Sequence, residues 1–360
     1  MNKGKKNRRK ASSTVRKWGG IFEVVLAPLK KRLRLLLVSF GLVLATTILF
    51  FAFYLFQVFK NNLTLASGGL PPQKENLDTG KTFNLLVFEV EDLQNQTSSI
   101  TSAAILNFQV EKKLLNVLSL PVEAELNNWW GAGKVRFSAL YGLSNLTTES
   151  KKMEKLVSLD VGLPVDGVFF TDTKNLESLG SSFKDITNAS GPLTLLRNLP
   201  GFGTKIKTNL NLMSLTGLIA YLAFHSPNKT ETFSLNSWRD LPQWDSIFRD
   251  KFSDPEVTSE RLKVIVINGT RKVGLAGRVG NLLSNLGLTL LAVQNSPEGE
   301  LYQNSILLTK SEDYYSAKRI ASFLSVNDVR SAATLSDDPK FDRLLRADLV
   351  LLAGADLFDN

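Results

Sequence analysis

The sequence contains no cysteine and only one histidine, His225, among its 360 residues. Without cysteine there are no disulfides, no thiolate nucleophile and no cysteine-ligated metal. A single histidine excludes metal centres that need two imidazoles. His225 could still serve as a base, but it ends an apolar run two residues before Pro227, where a capping or surface role is expected.

Acidic residues are almost absent from the start of the chain. Residues 1–34 contain twelve Lys and Arg residues and one acid, Glu23, so this tail carries +11. Since the whole chain carries +9, the other 326 residues carry −2, which gives no general case for nucleic-acid binding. The tail itself is either a nucleic-acid arm or a topology signal that also contacts anionic lipid. We favour the second interpretation because an apolar run follows directly.

That run, residues 35–59, reads LLLVSFGLVLATTILFFAFYLFQVF and has no charged side chain. A helix of this length measures about 37 Å at 1.5 Å per residue, enough to cross a bilayer. The sequence therefore predicts a single transmembrane helix, with the basic tail in the cytoplasm and the rest outside it, at the plasma membrane. A signal peptide is the alternative, although the run is long for one and begins late.

The remaining chain is predicted to form two extracytoplasmic α/β domains, residues 82–235 and 261–355. Residues 60–81 are rich in Asn, Gly and Pro, and residues 236–260 mix Trp, Phe and charge without a period, so both are predicted to be linkers. Strands alternating with helices indicate small α/β sheets. The predicted strands are 83–90, 103–110, 114–120, 167–170, 262–267, 288–294, 304–309 and 347–354, and the predicted helices are 136–143, 147–160, 173–180, 210–225, 274–287 and 312–324.

A strand, a turn and a helix at residues 262–287 resemble the build of a phosphate-binding loop. A P-loop needs Lys-Ser/Thr after its second glycine, whereas Leu275 and Ala276 follow Gly274 here. The glycines at 274, 277 and 280 do not have the dinucleotide-binding spacing either. We interpret Asn268, Gly269 and Thr270 as a structural turn, and the later glycines as positions of close helix packing.

The second domain resembles the LytR C-terminal domain family. The resemblance is carried by VIVINGTRKVGLAGRVGNLLSNLGL, by NSILLTKSEDYYSAKRIASFL and by RADLVLLAGAD, over about 95 residues. It implies an extracytoplasmic α/β module, often attached to cell-envelope enzymes, with no catalytic role of its own.

The first domain resembles a degenerate LytR–CpsA–Psr domain. The matching pieces are FNLLVFEVEDL, SAAILNFQVEKKLLNVLSLPVE, GKVRFSALYG and GLPVDGVFFTDTKNLESLG, in the family's order. This family transfers glycopolymers from polyprenyl-pyrophosphate carriers to peptidoglycan with magnesium. The resemblance therefore implies cell-wall glycopolymer or other envelope components as partners.

The family's chemical residues do not carry over. Its Pro-Arg-Asp turn is Pro121-Val122-Glu123 here, and its Gly-x-Asp after the first strand is Glu89-Val90-Glu91. Arginines would hold a pyrophosphate bidentately, and aspartates would hold magnesium. The candidate ligand-binding residues left in this sequence are Glu91, Glu123, Arg136 and Arg197, and Lys205 and Lys207 are a further possible anion site.

The leading hypothesis is a non-catalytic membrane-anchored envelope protein, without cofactor, that binds wall polymer or a protein partner. The alternative is an active glycopolymer transferase that uses magnesium and holds the pyrophosphate through Arg136 or Arg197. A third hypothesis, a transcriptional attenuator acting through the tail, needs a folded DNA-binding domain that 34 residues do not contain.

Overall fold

A computed structural model describes residues 46, 77–78, 80–95, 97–127, 133–142, 150–172, 206–224, 227–237, 241–296, 299–331 and 346–359. The chain divides into two compact units, Met1–Lys60 and Asn61–Asn360. Apart from residue 46, the basic tail and the predicted transmembrane helix 35–59 lie outside the described residues. Within the described ranges, no helix combines the length and the hydropathy of a membrane span.

The second unit is a mixed α/β structure. Its strands are β1 (Phe83–Val90), β2 (Ile100–Gln109), β3 (Leu114–Leu120), β4 (Glu125–Asn127), β5 (Lys134–Arg136), β6 (Gly167–Asp172), β7 (Ile206–Thr208), β8 (Lys229–Ser234), β9 (Lys263–Asn268), β10 (Thr289–Asn295), β11 (Ile306–Thr309), β12 (Asp328–Ser331) and β13 (Leu349–Ala353). Its helices are α1 (Ser150–Val161), α2 (Leu212–Phe224), α3 (Leu241–Ile247), α4 (Pro255–Glu260), α5 (Leu275–Leu286), α6 (Tyr315–Leu324) and α7 (Asp356–Asp359).

The first sheet has six strands in the order β7-β6-β1-β2-β3-β8. Strands β1, β2 and β3 are antiparallel neighbours, and β6 runs parallel to β1. The side chains of β1 are divided between two apolar clusters, with Phe83 and Leu85 in one and Leu86 and Phe88 in the other. The continuous apolar run of β1 therefore reflects a central strand covered on both faces. The predicted strands 83–90 and 114–120 are confirmed.

The second sheet has five strands in the order β10-β9-β13-β11-β12. All pairs are parallel except β11–β13. Strand β13 is buried along its whole length, as its sequence LVLLA predicts for a central strand. The predicted strands 262–267, 288–294, 304–309 and 347–354 all occur within two residues of their predicted ends, whereas β12 was not predicted because only Val329 among its four residues is apolar.

Residues 241–260 differ from the predicted linker. They form α3, a π-helical turn at Phe248–Phe252 and α4, and Phe248, Phe252 and Val257 are buried in the core. The carbonyl of Lys251 accepts hydrogen bonds from the side-chain amides of Gln109 (2.6 Å) and Asn116 (2.5 Å) on the first sheet. The short, interrupted helices explain why no helical period is visible in the sequence.

The predicted helix 136–143 is only partly present, because residues 140–142 are helical whereas residues 136–139 are not part of an α-helix. Arg136 ends strand β5, and a 3₁₀ turn follows at Phe137–Ala139. The backbone N–H groups of Phe137 and Ser138 donate to the carbonyls of Ala124 and Val122, which holds this turn against the segment that follows β3. The predicted helices 147–160, 210–225, 274–287 and 312–324 correspond to α1, α2, α5 and α6, whereas helix 173–180 and His225 lie outside the described residues.

Candidate functional site

The register of the first sheet places several predicted site residues at one edge. Val90 at the end of β1 pairs with Ile100 at the start of β2 and with Asp172 at the end of β6, and Leu120 at the end of β3 pairs with Ala103. The carboxyl ends of β1, β3 and β6 therefore meet at the same edge, which we call the carboxyl edge. Parallel strands commonly present their binding residues at this end.

Glu91 and Glu123 both lie at the carboxyl edge, shortly after β1 and β3. Both side chains are exposed, so neither carboxylate is held inside the fold. The backbone N–H of Glu91 donates to the carbonyl of Ser99, which fixes the loop after β1. The structure thus brings the two glutamates to one surface.

Arg136 lies close to Glu123 because a small two-stranded ribbon, β4–β5, folds against the turn after β3. Arg136 pairs in register with Glu125, and Phe137 N–H bonds the carbonyl of Ala124 at 2.9 Å. The Arg136 side chain is exposed. Arg197 and Lys205 lie outside the described residues.

An aromatic layer fills the interior beneath this edge. The ring of Phe88 lies 5.6 Å from that of Phe137 and 5.1 Å from that of Phe170, and the Tyr141 ring lies 5.0 Å from Phe170. These four side chains are at most 1% exposed. Rings at these separations are in direct contact, so this layer is packed rather than hollow.

Lys207 and Tyr141 add a polar pair that the sequence only partly indicated. Lys207 lies on β7, and its Nζ donates to the Tyr141 hydroxyl at 2.8 Å. That hydroxyl in turn donates to the carbonyl of Leu93 at 2.7 Å, in the loop after β1. Lys207 is therefore held at the carboxyl edge, which then carries cations from both β5 and β7.

Metal ligands are not clustered in the described part of the chain. No three Asp, Glu or His side chains within these residues lie close enough together to hold one ion. Glu91 and Glu123 share the carboxyl edge but do not belong to a three-ligand cluster among these residues.

A second polar centre, largely buried, joins the two sheets. Arg319 on α6 donates to both carboxylate oxygens of Asp166, at 2.5 and 2.6 Å, just before β6. Its Nε lies 3.7 Å from Asp254, which also accepts from the Tyr315 hydroxyl at 3.1 Å. Glu260 caps α6 by accepting the N–H groups of Tyr315 and Ser316. We call Arg319, Asp166, Asp254 and Tyr315 the ionic junction.

Burial and neighbouring charges both shift the pKa values of the ionic junction. Burial raises the pKa of Asp254, against the opposing effect of Arg319. Burial likewise raises the pKa of the Tyr315 hydroxyl. For Arg319, burial alone would lower the pKa, but Asp166, Tyr315 and Asp254 outweigh it and the pKa is raised. Arg319 therefore remains charged, as a fixed structural cation.

The turn Asn268-Gly269-Thr270 is occupied by its own hydrogen bonds. The Asn268 side chain accepts from the N–H and hydroxyl of Thr270 and donates to the carbonyl of Lys272. Gly269 N–H bonds the carbonyl of Ala353, and a Cβ on Gly269 would lie 2.6 Å from the Tyr302 ring. This geometry is that of an Asx turn that positions a strand end, rather than of a loop with N–H groups open to a phosphate.

Residues 261–356, which hold the second sheet, match one known family, described as LytR cell envelope-related transcriptional attenuator. The predicted LytR C-terminal domain is confirmed. The match covers a little over a quarter of the chain and includes the Asx turn and α6 with Arg319. No curated protein matches the chain.

Solved structures similar to the chain include TagT of Bacillus subtilis, TagT bound to LIIa-WTA, and the LytR-CPS2A-psr family protein YwtF (TagT) with bound octaprenyl pyrophosphate lipid. The two ligand-bound structures have sequence identities of 17% and 16%, cover 45% of this chain and 82% and 81% of their own chains, and give TM-scores of 0.32 and 0.30. TagV of B. subtilis has 13% identity, covers 43% and 85%, and gives 0.32.

Proposed function

We propose that this protein is a single-pass, membrane-anchored cell-envelope protein that binds cell-wall glycopolymer at the carboxyl edge and transfers nothing. The LytR C-terminal match at residues 261–356 supports an envelope role. The apolar run 35–59 and its basic flank support anchoring at the plasma membrane, with the sheets outside the cytoplasm.

The observation that carries the binding proposal is the contrast between the surface and interior of the carboxyl edge. Glu91, Glu123 and Arg136 are exposed, whereas Phe88, Phe137 and Phe170 pack together directly beneath them. A polyprenyl chain needs an apolar cavity, but a hydrophilic polymer needs only a polar surface. Arg136 and Lys207 supply cations that suit the phosphate groups of an anionic polymer.

The test uses the full chain in nanodiscs and two probes, a purified phosphodiester-linked wall glycopolymer and octaprenyl pyrophosphate, each with and without magnesium. Calorimetry should show saturable binding of the polymer that weakens as salt is added, because exposed charges are screened. We expect Arg136→Ala to weaken polymer binding at least threefold. Arg330→Ala is the matched control, since it removes an exposed arginine from β12 of the second sheet.

Two results would contradict this proposal. Magnesium-dependent binding of octaprenyl pyrophosphate that is lost in Arg136→Ala would instead support the glycopolymer transferase. Absence of binding to either probe by the folded protein would leave a protein partner as the ligand of this edge.

A further inference from the structure

We propose a second binding site, for a phosphate-bearing anion, at the edge of the first sheet opposite the carboxyl edge. A cleft of about 610 Å³ opens there between the β2–β3 turn and α4, lined by Lys112, Ser253, Pro255, Thr258, Ser259 and Arg261. Its volume is typical of sites for small ligands, which measure roughly 300–1,000 Å³.

The two cations of this cleft have no partner within the described structure. Neither Lys112 nor Arg261 forms an ion pair or a side-chain hydrogen bond with any described residue. Both side chains are exposed at the cleft, so their charges face solvent and any ligand within it.

Carboxylates near the cleft are engaged or directed elsewhere. Glu256 pairs with Lys81 at 2.7 Å, and Glu260 caps α6. Glu111, exposed in the β2–β3 turn itself, does not line the cleft. Among the described residues, the lining therefore contains two positive charges and no negative charge, which favours an anion.

The hydroxyls of the cleft divide into two roles. Thr258 Oγ1 donates to the carbonyl of Asp254, and Ser259 Oγ donates to that of Glu256, so these protons are used within α4. The Ser253 hydroxyl makes no hydrogen bond with a described residue and can donate to a ligand. Lys112, Arg261 and Ser253 together supply the kinds of donor that bind phosphate oxygens.

The backbone conformation of Arg261 gives a second, independent indication that its side chain has a role. Arg261 ends α4 in the left-handed region, with φ 52° and ψ 32°, a position where glycine is usual. A long cationic residue at a left-handed position is costly for the backbone, and a ligand in the cleft would explain its presence at Arg261.

The ligand chemistry is a phosphate monoester or diester, and two sources share it: a soluble phosphate such as glycerol 3-phosphate, and the headgroup of an anionic phospholipid. The test uses the full chain in nanodiscs. One arm titrates glycerol 3-phosphate, with glycerol as the neutral control, into protein in neutral-lipid discs. The other arm compares hydrogen exchange of residues 109–113 and 253–261 in neutral discs and in discs containing phosphatidylglycerol.

The decisive variant is Arg261→Gly, because glycine suits the left-handed position and the fold should be retained with an unchanged or higher Tm. We expect Arg261→Gly and Lys112→Gln to weaken phosphate binding, or to reduce the exchange protection, at least tenfold. Arg249→Gln is the control, an exposed arginine of the neighbouring π-helical turn that does not line the cleft, and it should behave like the parent.

Each outcome decides the proposal. Binding of glycerol 3-phosphate that depends on Arg261 identifies a soluble ligand, and protection seen only with phosphatidylglycerol identifies a lipid headgroup. A parent protein without a response in either arm, or a response that both variants retain within twofold, overturns it. Neither result bears on glycopolymer binding, since Arg136 lies at the other edge.

Discussion

At the scale of single residues, Arg319 forms the most buried ion pairs in the described part of the chain. Its guanidinium is bidentate to Asp166, and its side chain is only 12% exposed. Removing one member of a buried pair leaves the other as an uncompensated charge in the interior. Replacing Asp166 as well removes that charge, although Asp254, whose carboxylate lies 3.7 Å from Arg319 Nε, still loses its neighbouring cation.

We therefore expect Arg319→Ala to lower the free energy of unfolding by about 3–5 kcal/mol, because Asp166 then loses its partner. The double substitution Arg319→Met with Asp166→Asn should recover only the part of that loss due to Asp166, because Asp254 still loses its neighbouring cation. The amide oxygen introduced by Asp166→Asn can still accept the Asn84 N–H that the Asp166 carboxylate accepts at 2.8 Å. Urea unfolding of the full chain in mild detergent measures both variants.

Arg330→Ala serves as the reference for this comparison. The Arg330 guanidinium pairs with Asp328 on β12, where the two side chains are 52% and 34% exposed, and no measurable change in unfolding is expected. If Arg319→Ala behaved like Arg330→Ala, the ionic junction would be a surface pair in solution.

At the scale of elements, helix α5 shows that its glycines have different functions. Gly274 precedes the helix with φ 81°, Gly280 packs against Leu290 and Val293, and Gly287 ends the helix with φ 126°. Gly277 has an ordinary helical backbone and open space where a Cβ would lie. The expectation that the later glycines allow close packing therefore holds for Gly280 and not for Gly277.

This difference makes a matched pair of substitutions within one helix. Gly287→Ala should destabilise by about 1–3 kcal/mol from backbone strain alone, and the new Cβ would also lie 2.4 Å from Thr258 Oγ1. Gly277→Ala should instead stabilise by about 0.5–1 kcal/mol, because alanine is the better helix former. Thermal and urea unfolding of both variants test this, and equal effects of the two would contradict the assigned geometry.

Helices and strands with a clear hydrophobic period were predictable from the sequence, and those built by tertiary contacts were not. The apolar run KVIVIN predicts strand β9, and the periodic apolar residues of α5 predict a helix. Strand β8, with the sequence KTETFS, has a weak apolar signal and is defined by its pairing with β3. The turn at Phe137 is likewise fixed by carbonyls of residues 122 and 124, which no local pattern reveals.

The candidate sites show the same limit. Glu91, Glu123 and Arg136 could be nominated from family resemblance, and the strand register then explains why they share an edge. The bond between Lys207 and Tyr141 spans 66 residues, and the contact of Arg319 with Asp166 spans 153. Contacts at such separations depend on how the sheets stack, so neither motif nor period could have predicted them.

At the scale of the whole second unit, the two sheets share one apolar core. A single cluster of buried side chains runs from Phe88 on β1 through Val157 on α1 to Leu283 on α5 and Leu351 on β13. The Asn285 amide donates to the carbonyl of Gly162 at 3.0 Å, and Asp254 N–H donates to the carbonyl of Leu286 at 2.9 Å. The region that matches the LytR C-terminal family is thus packed against the preceding sheet.

A shared core predicts that the two sheets open together. In native-state hydrogen exchange of the full chain, the most protected amides of β1 and of β9 should therefore give the same free energy of unfolding. Neither sheet can expose its core face without exposing the other. Arg319→Ala should lower both values equally, since the ionic junction stabilises the joint structure. If β9 amides remained protected while β1 amides exchanged through a smaller opening, residues 261–356 would be an autonomous domain, and the ionic junction would be a docking contact between two separately stable parts.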